Sequence, residues 1–106
     1  MKKIKTFKTE QGDYTIKYGF KQMMDIEKEV GGLTKLAEDS DGQLRSIYVI
    51  FSHGYKALNK KAKDEEIEEA IDNILEEMSL EDFMIAVMET FYGQKLDEVT
   101  PSESAE

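Results

Sequence analysis

Cysteine and tryptophan are missing from this chain, and histidine and proline occur once each among its 106 residues. Without thiols there is no disulfide, no thiolate nucleophile and no thiolate metal site, which suits a reducing compartment. The single imidazole, His53, leaves almost no material for histidine-based catalysis. Long apolar runs are lacking too. The longest lies within "LRSIYVIFSHGYKAL" (44–58), far short of the roughly 18 residues of a membrane span. The start, "MKKIKTFKTEQGD", has lysines with no apolar segment behind them, so it reads as a strand and not as a secretion signal. A cytoplasmic protein with no membrane partner is expected.

Basic residues are scarce in the second half. Residues 1–63 carry a net +5, from 13 Lys/Arg against 8 Asp/Glu, whereas residues 64–106 carry −14, from Lys95 alone against 15 acids. Such asymmetry steers basic partners or imitates nucleic acid. The plainer reading is the solvated face of two helices followed by a tail.

What is present predicts an α+β, mostly α domain over 1–96 with a disordered acidic tail at 97–106. "KIKTFK" and "YTIKY" read as a β-hairpin, with Gly12-Asp13 offering positive-φ turn positions. Tyr14, Ile16 and Tyr18 share one parity and should face the core. Ile4 and Phe7 have opposite parity, which suggests a bulge or a loose register. Four helices follow, over about 19–31, 43–60, 64–78 and 80–92. In the first, Phe20, Met23, Met24 and Val30 form a stripe with Ile26 widening it, and Gly31-Gly32 stops it. Leu33 and Leu36 make at most a short turn, and Ser40 or Asp41 is placed to cap the next helix.

That helix is the longest apolar one. Leu44, Ile47, Tyr48, Phe51, Tyr55 and Leu58 keep helical spacing, and Val49 and Ile50 widen the stripe until most of its girth is apolar. Gly54 inside it predicts a close helix–helix approach or a kink. "DEEIEEAIDNILEEM" is plainly amphipathic, with Asp64 a candidate cap. Ser79 stands three residues before Asp82, the spacing of a capping box, and Gly93 is the expected stop.

No catalytic or cofactor constellation emerges. Ser52 and His53 are helix neighbours about 100° apart and cannot pair, and Ser-His-Gly is not a nucleophile elbow. "DSDG" (39–42) opens like a calcium loop, but the twelfth position falls on Ile50 or Ser52 instead of a glutamate. "EVGGLTK" lacks phosphate-loop spacing. The lysines at 56, 60, 61 and 63 are opposed by the acids from Asp64 onward, so no nucleic acid partner is expected. No enzyme, metal or cofactor is predicted. What remains is a surface. Met84, Met88, Phe91 and Tyr92 are the candidate partner-binding residues, because a chain this short has little core left for a fourth long apolar stripe and methionine suits adaptable apolar surfaces. Phe83 and Val87 are assigned to the core.

The order of elements carries a resemblance. A hairpin leads to a helix closing on glycine, "IEKEVGG", then to a helix with an apolar run and a glycine, "IYVIFSHG", then to an acidic helix. Across about residues 14–92 this resembles the tail assembly chaperones of long-tailed bacteriophages and prophages. The resemblance implies a non-enzymatic protein of the bacterial host's cytoplasm, with the tape measure protein as client and the tail tube protein as second partner. It also implies that a longer frameshifted form and self-association into a homo-oligomer are open. It fixes no individual binding residue. A small acidic regulator, imitating nucleic acid to block a DNA-binding protein, is the alternative of another class.

Overall fold

The computed structural model describes residues 3–30 and 43–93. Among these, strands β1 (Ile4–Thr9) and β2 (Gly12–Lys17) form an antiparallel hairpin. Four helices follow: α1 (Phe20–Val30), α2 (Gln43–Lys56), α3 (Asp64–Leu75) and α4 (Leu80–Tyr92). The fold is α+β and mostly α, as the sequence predicts. The Gly31-Gly32 stop, the Leu33/Leu36 turn, the 39–42 cap and loop, and the acidic tail lie outside the described residues.

The hairpin register is unbroken from Ile4↔Lys17 to Thr9↔Gly12, so there is no bulge. Phe7, opposite Tyr14, faces inward with Ile16, while Ile4 sits on the outer face, 44% exposed. The parity clash is resolved by leaving one isoleucine in water. Lys5 shares the inward parity and lays its ammonium 5.7 Å from the Phe7 ring centre at the sheet margin. On the outer face the Thr6 and Thr15 hydroxyls meet at 2.8 Å. The loop itself is Glu10-Gln11, closed by the Thr9 hydroxyl, which accepts from the Gln11 and Gly12 amides and donates to the Gly12 carbonyl. Gly12 alone takes a positive φ there, at 147°; Asp13 does not.

Beneath the hairpin, aromatic rings run through the core. Phe51 meets Phe83 at 5.6 Å and stacks on Tyr55 at 5.9 Å, while Phe7 touches both phenylalanines. α2 is the central helix: Ile47, Val49, Ile50, Phe51, Ser52 and Tyr55 are all buried. Its two ends are not. Leu44 is 60% exposed and Leu58, two residues past the helix end at Lys56, 50%; there the Tyr55 carbonyl accepts from the Leu58 and Asn59 amides and from the Asn59 side chain, a tightened last turn. α3 likewise closes at Leu75 through tight bonds from Glu76 and Glu77 to the Asn73 and Ile74 carbonyls.

Gly54 does mark a close approach, but the neighbour is a tyrosine from the hairpin exit and not another helix. The Tyr18 hydroxyl donates to the Ile50 carbonyl, 2.6 Å away and one turn before Gly54. A Cβ at Gly54 would stand 2.6 Å from the tyrosine Cζ. The other side of that ring meets Phe91 edge-on at 5.5 Å.

α1 buries Ile26 completely, with Met23 and Val30 half-buried beside it. Phe20 and Met24, expected on the buried stripe, stand in water at 79% and 51% exposure. Helix ends behave unevenly. Ser79 caps α4 by accepting from the Asp82 amide at 3.1 Å, and Gly93 ends it with φ 79°. α3 is capped by Lys63 without a side-chain bond, so Asp64 is its first residue and not its cap.

Candidate functional site

The four candidate residues of α4 do not form one surface. Phe91 is fully buried against Tyr18, which corrects its placement on a binding face. Met84 and Met88 are half-buried and pack on the core flank. Tyr92 alone is exposed, at 38%. The helix turns Phe83, Val87, Thr90 and Phe91 inward, so an expected fourth stripe is largely spent on the core.

His53 and Ser52 part company. Ser52 is buried, and His53 Nε2 lies 2.8 Å from Glu29 Oε1, tying α2 to α1 across a partly exposed contact. Asp25, one turn earlier on α1, is held below its ordinary value first by a hydrogen bond from Lys21 and to a lesser degree by His53. Among the described residues, no three or more His, Asp or Glu side chains gather as a cation site.

The feature with the shape of a binding site is an apolar groove of about 340 Å³ where α2, α3 and the start of α4 diverge. Ile47 and Phe83, both buried, form its floor. Ile71 and Leu75 form the α3 wall, half-buried. Leu44 and Leu80, at 60% and 44% exposure, are its lips. Both leucines stand in the first turn of their helices. Tyr48 stiffens one side: its ring lines the groove and its hydroxyl donates to Asp64 Oδ1 at 3.1 Å. Burial, then that carboxylate, raise the tyrosine's pKa above its ordinary value.

Polar residues mark the rim. Glu68 and Asp72, one turn apart on α3, both line the groove and are exposed. No described residue pairs with either as a cation, and residues 64–93 contain 11 acids without a lysine or arginine. The α3 and α4 side of the groove is therefore negative.

Sequence reasoning placed Leu44 on the central stripe and Leu80 at the head of the last one. It missed that both are left exposed. The available signal was positional: each is the first apolar residue of its helix, where a stripe has least to pack on.

No helix among the described residues is long and apolar enough to cross a membrane. No family model, no curated protein sequence and no solved structure matches the chain.

Proposed function

We propose that the protein is a non-enzymatic holding module that shelters an apolar helical segment of a client protein. The groove between α2, α3 and α4 carries the reading. Its floor is fixed core, its lips are leucines left in water, and such a channel suits an amphipathic helix. The surrounding negative charge keeps a loaded complex soluble. The resemblance of residues 14–92 to phage tail assembly chaperones supports the choice of client within this proposal: the tape measure protein, with the tail tube protein as a further partner, in the cytoplasm of the bacterial host.

Co-expression with a tape measure fragment from the same source tests the proposal. Client that turns soluble, co-purifies and stays bound at high salt supports it; client that stays insoluble with no complex recovered overturns it. One observation favours a second reading: Glu65, Glu68, Glu69 and Asp72 are all exposed on α3, a row of carboxylates able to imitate phosphates. A nucleic-acid mimic would lose its partner steeply as salt rises, whereas apolar holding changes little.

A further inference from the structure

We infer that the groove selects its occupant by charge as well as by shape: it takes an amphipathic helix whose lysines or arginines flank the apolar face on the side toward Glu68 and Asp72. The inference rests on the holding role above and adds the chemistry of the segment held.

Three observations lead there. The α3 wall runs from Glu68 to Leu75, eight residues or about 10 Å of helix axis. An occupant lying along it makes contact over about two turns, which is one set of anchors at i, i+3 or i+4, and i+7. The apolar lining belongs to the floor, the lips and the α3 wall, so those anchors are aliphatic or aromatic. Among the described residues, the only charged ones lining the groove are Glu68 and Asp72, at i and i+4 on the same helix. Their spacing matches cations one turn apart on an occupant, and neither has a cationic partner among the described residues. A flank of glutamates there would meet like charge at both places, in a stretch, 64–93, that holds 11 acids and no lysine or arginine. Negative charge at the rim thus discriminates against acidic helices as well as attracting basic ones.

The test uses the full chain and two labelled peptides of about 18 residues, long enough to hold helix when bound. Both carry the same leucine and alanine face; one has lysines along a flank and the other glutamates. At low salt, about 50 mM, the lysine peptide is expected to bind roughly tenfold tighter, the scale of two partly shielded pairs set against two repulsions. Glu68→Gln with Asp72→Asn changes two exposed side chains and should shrink the gap to roughly twofold, and high salt should do the same in the parent chain. Leu44→Asn with Leu80→Asn should weaken both peptides at least tenfold, a loss expected when apolar lips leave the contact. Equal binding of the two peptides, or a lysine preference unchanged by the rim variant, overturns the inference. If a tape measure fragment still co-purifies in that case, the holding role stands and only charge selection falls. Self-association of the chain that the leucine variant abolishes, with neither peptide bound, assigns the groove to a second copy and overturns it too.

Discussion

Replacing Gly54 by alanine sets two opposed effects against each other. Alanine is the better helix former by about 1 kcal/mol, and Gly54 lies inside α2 with no special φ. Were it a mere weak point, the substitution would stabilise the protein. The tyrosine makes the opposite outcome the expected one. A methyl at position 54 would meet Tyr18 Cζ, the hydroxyl oxygen and Cε1 at 2.6, 2.7 and 2.8 Å, distances at which something must move. Tyr18 is only 4% exposed and its ring is held on another side by Phe91. Pushing into so packed a place costs about 1–3 kcal/mol. If the ring swings away instead, its hydroxyl leaves the Ile50 carbonyl and a buried donor is stranded, again about 1–3 kcal/mol.

The helix gain offsets part of this, so the net loss should be up to about 2 kcal/mol once the gain is subtracted. With a urea slope of about 1–3 kcal/mol per molar, the midpoint falls by roughly 0.5 M. Urea titration followed by helical circular dichroism measures it. The partner experiment is the same change in a Tyr18→Leu background, where the obstructing ring is gone. There Gly54→Ala should become neutral or stabilising, giving a coupling above about 1 kcal/mol in the double-mutant cycle. A higher midpoint for Gly54→Ala in the parent chain would refute the reasoning, because the glycine would then serve no close contact.

The same packing and helix ends lead to four further outcomes. Burial holds the Tyr18 hydroxyl well above the ordinary tyrosine value, so the folded chain keeps a proton that the unfolded chain loses. Stability from this group is intact below about pH 10 and lost as pH rises beyond it; a urea midpoint series from neutral to alkaline pH should fall less steeply in Tyr18→Phe than in the parent. Ser79→Ala removes the cap of α4 and should cost about 1 kcal/mol, read from the thermal midpoint. His53→Ala breaks only a partly exposed contact with Glu29, so a shift above about 1 kcal/mol would contradict its description as a peripheral tie between helices. Phe91→Ala should cost about 3–5 kcal/mol in chemical denaturation, whereas Tyr92→Ala, which removes a 38% exposed ring set edge-on to Phe91, should cost only about 1 kcal/mol.

The parts of this fold legible in the sequence were those set by local chemistry. Ser79, Gly93 and the first-turn acids of α3 announce helix ends through groups that satisfy backbone amides or a dipole. The alternation Tyr14, Ile16, Tyr18 announces a buried strand face directly. What stayed hidden depends on which neighbour arrives. Phe20, Met24 and Ile26 are equally apolar on paper, yet only Ile26 meets α2 and the core; nothing local says which edge of a broad stripe will be covered. Gly54 signalled a close contact without naming its partner, since a tyrosine 36 residues earlier in the chain leaves no mark on the helix it touches. The α4 residues fail for a related reason. Phe91 looked surplus to a small core, but two of the core's surfaces, the hairpin exit and α2, converge on α4 and use it.

The groove has one further property that governs how its role can be tested. Its floor and its lips differ in what they do for the fold. Phe83 is 1% exposed and touches both Phe7 and Phe51; truncating it to alanine should cost about 3–5 kcal/mol and confuse lost binding with lost structure. Leu44 and Leu80 face water in the free protein, so exchanging either for asparagine should leave stability within about 0.5 kcal/mol while removing the contact an occupant needs. Urea midpoints of the two single variants decide whether the lips are as free as they stand. Midpoints that drop by a core-sized amount would mean that the leucines are already covered in solution, and the groove would then be part of the protein's interior and not a place for a client. Midpoints near the parent value leave them doing nothing for the fold, and exposed leucines paired across a channel are then accounted for by what they bind.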